Sequence, residues 1–176
     1  MKINLSPELA YFAGLWKARA IREGVGIEGD LEAQQIFLAE AISTLGIPPD
    51  KIQLKGRKAY FYHSAYRKFF EELVDNELET FRWQNKYSSN FLAGFFDGCG
   101  GVDEKVGAIY FARASEADQQ LLERLGFLTK RMGRALYINA KSVREFAAFV
   151  FDSTKRTELK SRLSALMRSG NERDPR

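Results

Sequence analysis

Phe91-Leu92-Ala93-Gly94-Phe95-Phe96-Asp97-Gly98-Cys99-Gly100 is the stretch that decides the fold of this 176-residue chain. It reads as an apolar helix that exits at a glycine, with Gly94 and Gly98 four residues apart on one face. Small residues at that spacing let a second backbone approach closely, as they do where membrane helices cross. A partner with the same device lies upstream. In Phe12-Ala13-Gly14-Leu15-Trp16-Lys17-Ala18-Arg19-Ala20, Gly14 and Ala18 repeat the spacing. The two helices are expected to cross near Ala13, Gly14, Ala93 and Gly94.

Working outward, the chain plays one order of elements twice. Ser6-Pro7-Glu8 opens the first helix with a capping oxygen, a first-turn proline and an acid at the positive end of the dipole. A glycine-spaced stretch follows from Arg22 to Gly29, then a periodic helix from about Leu31 to Leu45, stopped by Gly46 and Pro48-Pro49. IQLKGRKAYFY alternates around Gly56 and predicts a β-hairpin. Helical spacing returns from Ala65 to about Leu78, with Phe69, Phe70, Leu73 and Val74 as its stripe. In the second half Ser88-Ser89-Asn90 is expected to cap the glycine-bearing helix, and GGV and AIYFAR predict extended chain. Ser115 and Asp118 fit a capping box for a helix ending at Leu125-Gly126. A hairpin turns at Met132-Gly133-Arg134, Ser142 with Glu145 starts another capped helix, and a basic amphipathic helix occupies 154–169. Identities recur between the halves. Gly14 matches Gly94 and Leu45-Gly46 matches Leu125-Gly126 at an offset of 80 residues. Arg57, Tyr60, Arg67 and Phe69 match Arg134, Tyr137, Arg144 and Phe146 at an offset of 77. We therefore expect one two-repeat domain over 1–169 (repeat one 6–80, repeat two 88–151) and a disordered tail at 170–176.

The stretch at 91–100 resembles the LAGLIDADG motif of homing endonucleases, and the stretch at 12–20 is a weaker copy. The resemblance covers about residues 6 to 151. It implies an α+β fold of two pseudo-twofold-related repeats, each roughly αββαββα, with the motif helices at the interface and the sheets facing DNA. Only Ile21 to Gly29 follows the first motif and Gly101 to Ala114 the second, so the first hairpin of each repeat is expected to be short. The resemblance further implies a metal-binding carboxylate at the penultimate motif position. Here those positions hold Arg19 and Cys99. A guanidinium does not lose its proton, and a thiol is a soft ligand for a hard cation. No catalytic residue, metal or cofactor is therefore expected. Glu23, Asp103 and Glu104, just past the helices, are the acids from which a relocated metal site would have to be built.

Composition narrows the remaining classes. Hydrophobic residues make up 45% of the chain, enough for a folded core. No run approaches a membrane span, and the opening MKINLSPELA lacks a signal-peptide core. The single cysteine and single histidine exclude an internal disulfide and a Cys/His zinc site, and they fit a reducing cytoplasm. Net charge is only +4, so placement decides. The stretches Lys51–Lys68 and Arg124–Arg144 each hold six basic residues and no acid, whereas Glu71–Glu79 holds five acids. Strand alternation sends Ala59 and Phe61, like Leu136 and Ile138, to one face. Lys58, Tyr60 and Tyr62, like Tyr137 and Asn139, go to the other. Lys55, Arg57, Lys58, Tyr60, Lys130, Arg131, Arg134 and Tyr137 are thus the candidate contacts for nucleic acid, phosphates being taken by the cations. The reading is a DNA-binding protein without nuclease activity, monomeric and with internal pseudo-twofold symmetry. Two alternatives stand beside it: an RNA-binding, maturase-like protein, and a protein-interaction module that kept the fold without the nucleic acid.

Overall fold

The computed structural model describes residues 1–169, so the tail expected at 170–176 lies outside the described residues. Its elements run α1 (Pro7–Arg19), β1 (Val25–Glu28), α2 (Leu31–Ser43), β2 (Gln53–Lys55), β3 (Lys58–Phe61), α3 (Ser64–Asp75) and α4 (Glu77–Thr80) in the first half. The second half runs α5 (Lys86–Cys99), β4 (Gly100–Asp103), β5 (Ala108–Phe111), α6 (Glu116–Arg124), β6 (Thr129–Met132), β7 (Ala135–Ile138), α7 (Val143–Phe151) and α8 (Thr157–Ser169). The first sheet has strand order β1-β3-β2 and the second β4-β5-β7-β6, antiparallel throughout.

The centre of the molecule is the crossing of α1 and α5. A side chain on Gly14 would overlap the carbonyl oxygen of Phe91, and one on Gly94 would overlap that of Tyr11. These contacts are reciprocal at the offset of 80 residues read from the sequence, as a twofold interface requires. One turn further on, a Cβ on Gly98 would run into that of Ala18. The pairing of repeats is therefore a backbone-to-backbone contact that only very small residues permit.

Around the crossing the core is aromatic. Phe12 lies 5.1 Å from both Phe37 and Phe70 in the first half. In the second, Phe111 packs against Phe95, Phe96 and Phe146. Each sheet turns one set of alternating residues into this core: Val25, Ile27, Ala59 and Phe61 on one side, Val102, Ile109, Phe111, Leu136 and Ile138 on the other. Burying such side chains is worth about 1.5–3 kcal/mol each, which is what ties strands this short to the helices.

Three details depart from the sequence reading. The first half has one strand where the second has the β4–β5 hairpin. What would be its outer strand is a single bridge, Ala20 to Ile27. The segment is too short and glycine-spaced to hold a full ladder, and β1 takes its hydrogen bonds from β3 instead. The second motif helix begins at Lys86, four residues after Arg82, and not at the Ser88-Ser89-Asn90 cap. Asn85 is the cap, and Ser88 is its reciprocal partner in a capping box. Ser142 does not cap α7 with its side chain; its hydroxyl accepts the backbone N–H of Leu128, closing the loop before β6. The caps read at Ser6 and at Ser115 with Asp118 form as expected.

Candidate nucleic-acid interface

The two helix ends that the motif resemblance marks for metal hold other chemistry. Cys99 is buried, and burial pushes its thiol up to about 12, so it stays neutral. Its Sγ lies 3.6 Å from the Phe95 carbonyl and 3.5 Å from that of Arg113. Arg19 donates through Nε to the carbonyl of Gly98, an orphan acceptor at the end of α5. A neutral thiol facing carbonyls and a permanent cation do not fit a divalent metal. The three neighbouring acids do not converge to replace them. Glu23 pairs with Lys58 at 2.9 Å, Asp103 accepts the N–H of Lys105, and Glu104 faces Arg162 at 3.7 Å. Among the described residues no three His, Cys, Asp or Glu side chains gather into a cation site.

What the helix ends do line is a basic cleft. A space of about 510 Å³ is bounded by Arg19 and Ala20 at the end of α1, Arg57 from the β2–β3 turn and Arg113 after β5, with Lys17 and the acids Glu28 and Asp118 also in its lining. Arg113 also borders a smaller cavity beside Cys99 and Gly100, and a third formed with Arg131 and Arg134. It thus joins the motif ends to the β6–β7 turn. No motif or periodicity marks Arg113 in the sequence. Its place follows from Ala112, whose N–H bonds the carbonyl of Cys99 and draws the strand exit against the end of α5.

The structure sorts the eight expected contacts. Lys55 and Lys130 are exposed on the outer sheet faces, in register with Lys58 and Tyr137 respectively. Arg57 and Arg134 sit in equivalent turns after Gly56 and Gly133, both with φ of 61°. Neither they, Lys55, Lys130 nor Arg113 has an acidic side chain within ion-pair reach among the described residues. Tyr137 is half-buried, its ring 5.5 Å from that of Tyr110. Three residues are occupied differently from the sequence reading. Lys58 is paired with Glu23, which raises the lysine's pKa and lowers the acid's. Tyr60 is only 8% exposed, packed over Gly26 and edge-on against Tyr62, which carries the exposure instead. Arg131 shares the face of Leu136 and donates to Gln119 and to the carbonyls of Ala114 and Ser115, holding the start of α6.

Several other cations are held by the fold. Lys17, at the sixth position of the first motif, is shared by the buried carboxylates of Glu77 and Asp118. Its counterpart Asp97 accepts from Tyr11 Oη at 2.5 Å and from the backbone N–H groups of Lys155 and Arg156. Lys155 pairs with Glu40, and Arg156 with Asp30 and Glu32. The segment leading into α8 is therefore clipped to the first repeat.

No family model matches the sequence and no curated protein resembles it. Solved structures do. I-DmoI in complex with DNA and Mn superposes with a TM-score of 0.61 over 86% of this chain and all of that one, at 17% identity. I-DmoI with DNA and Ca gives 0.58 over 94% and 100%, at 17% identity. Mesophilic variants of the homing endonuclease I-DmoI give 0.53 over 85% and 98%, at 16% identity. With its two repeats joined at the glycine crossing, the chain has the LAGLIDADG fold of the homing endonuclease I-DmoI.

Proposed function

We propose that this protein binds duplex DNA across its two outer sheet faces and does not cut it. The observation that carries this reading is the division of labour among its cations. Ion pairs engage Lys17, Arg67, Arg124, Lys155, Arg156 and Arg162, whereas Lys55, Arg57, Arg113, Lys130 and Arg134, in the hairpins and at the β5 exit, have no acidic partner among the described residues. Folding gains nothing from leaving five guanidinium and ammonium groups unpaired, while a polyphosphate supplies the missing charge. The solved complexes of I-DmoI with DNA support DNA as the ligand. Loss of cleavage rests on Arg19 and Cys99, which take the metal positions without a carboxylate between them. The buried thiol suits a reducing cytoplasm.

Fluorescence anisotropy with labelled random-sequence duplex, single-stranded DNA and RNA at two salt concentrations tests the reading. Duplex is expected to bind best, with affinity falling steeply as salt rises. If RNA or single strands bind better, the exposed Tyr62 and the Tyr110–Tyr137 pair become the contact surface, stacking on unpaired bases. If none of the three binds, the fold serves a protein partner.

A further inference from the structure

We propose that the cleft joining Arg19, Arg57 and Arg113 is a phosphate clamp that grips the nucleic-acid backbone at the middle of the interface without a metal ion. The inference rests on the nucleic-acid reading above and assigns its central contact.

The geometry points there in three ways. First, the cleft draws on both repeats. Arg19 and Arg57 come from the first and Arg113 from the second, so a strand lying in it touches both halves at once. Second, Arg19 has donors to spare. Its Nε is taken by the Gly98 carbonyl, which fixes the plane of the guanidinium, while its two terminal nitrogens have no protein acceptor among the described residues. A guanidinium held at Nε presents the paired N–H groups that match two phosphate oxygens. Third, the cations extend beyond one point. Arg113 also borders the cavity that Arg134 lines at the β6–β7 turn. A single small anion needs no such extension; successive phosphates of one backbone do. Two acids line the space as well: Glu28 on the rim, and Asp118, which shares Lys17 with Glu77.

The competing account makes Arg19 a cap for α5 and nothing more. Arg19→Gln separates the two. A glutamine amide keeps a donor for the Gly98 carbonyl and loses the charge. Arg113→Gln is the companion variant, because Arg113 is exposed and makes no side-chain hydrogen bond, so its loss does not threaten folding.

The experiment is a salt titration of binding to a labelled random-sequence duplex pool, with thermal melting of each variant beside it. Each variant should keep the wild-type melting temperature and lose about tenfold in affinity near 0.1 M salt, with its log–log salt slope about one unit flatter. Replacing EDTA by Ca²⁺ at matched ionic strength should not raise wild-type affinity, because the protein brings its own charge to the centre. Higher affinity in Ca²⁺ overturns the clamp. So do wild-type slopes in both variants when Lys130→Gln and Arg134→Gln flatten theirs; duplex is then bound at the rim and the nucleic-acid reading stands alone. A wild type that binds no nucleic acid removes both.

Discussion

At the scale of single residues, the molecule turns on glycines that tolerate no substituent and on carboxyls withdrawn from water. Gly94→Ala places a methyl on the Tyr11 carbonyl, and Gly14→Ala places one on that of Phe91; neither backbone can yield without parting the helices. Each change should destabilise by about 1–3 kcal/mol or more, read from urea unfolding. Their double mutant should cost less than the sum, since either one alone already opens the crossing. The buried carboxyls make a second expectation. Burial pushes Asp97 up to about 6, above its ordinary range, even though Tyr11 and two backbone N–H groups favour its charged form. Burial also raises Glu77, with the Asp118 carboxylate adding to the shift and Lys17 opposing it. An acid with a raised folded pKa binds its proton more tightly folded than unfolded. Its contribution to stability therefore grows as pH falls from the folded value toward the unfolded one near 4. The melting temperature should accordingly rise from pH 8 toward pH 5, against the usual trend of acid destabilisation. Asp97→Asn should flatten that rise; a profile that already falls from pH 7 to pH 5 in wild type would refute the assignment.

At the scale of elements, what the sequence revealed and what it hid follow from the range of the interactions. The hairpins at Gly56 and Gly133 were legible because a turn glycine and its flanking alternation lie within a dozen residues. The glycine crossing was legible because the same device occurs twice. The missing strand of the first repeat was not, because β1 finds its partner β3 some thirty residues away, and no local pattern records that pairing. Arg113 was equally silent: its role comes from a loop drawn against the end of α5. The side to which Arg131 turns was hidden as well, since the sequence marks a cation but not the carbonyls at the start of α6 that take its donors. The C-terminal segment shows how charge counts mislead. Its cations look like a surface for phosphate, yet Lys155 and Arg156, just before α8, are bound to Glu40 and Glu32 on α2 and to its cap Asp30, and Arg162 on α8 is bound to Glu158. Arg156→Ala should thus lower stability by about 1 kcal/mol and leave the salt slope of DNA binding as it was. Lys130→Ala should do the reverse, keeping the melting temperature and flattening the slope by about one unit. Anisotropy and thermal melting of the same two preparations decide it.

At the scale of the whole molecule, a fold matching that of I-DmoI in complex with DNA is joined to motif ends that carry Arg19 and Cys99. Incubation with plasmid and Mg²⁺ or Mn²⁺ is expected to give no nicking. Nicking that disappears in Asp103→Ala or Glu104→Ala would reveal a relocated site and end this reading. The more informative variant is Arg19→Asp with Cys99→Asp, which returns a carboxylate to both motif ends. We expect it to stay inert, for reasons the surroundings of each residue supply. At position 99 the new carboxylate would face the carbonyl oxygens of Phe95 and Arg113, which accept hydrogen bonds and offer none. It would also be buried where a thiol is now neutral, so desolvation would favour its protonated, metal-indifferent form. At position 19 the exchange removes the donor that satisfies the Gly98 carbonyl and leaves that end of α5 uncapped. The pair should therefore melt below wild type and bind duplex more weakly at low salt, with no cleavage on adding metal. Metal-dependent nicking by the double variant would show that only the residues at positions 19 and 99 stand between this fold and cleavage. Continued inertness together with lower affinity would show a centre rebuilt around charge, in which the arginine has replaced the function of the metal site and not merely its residues.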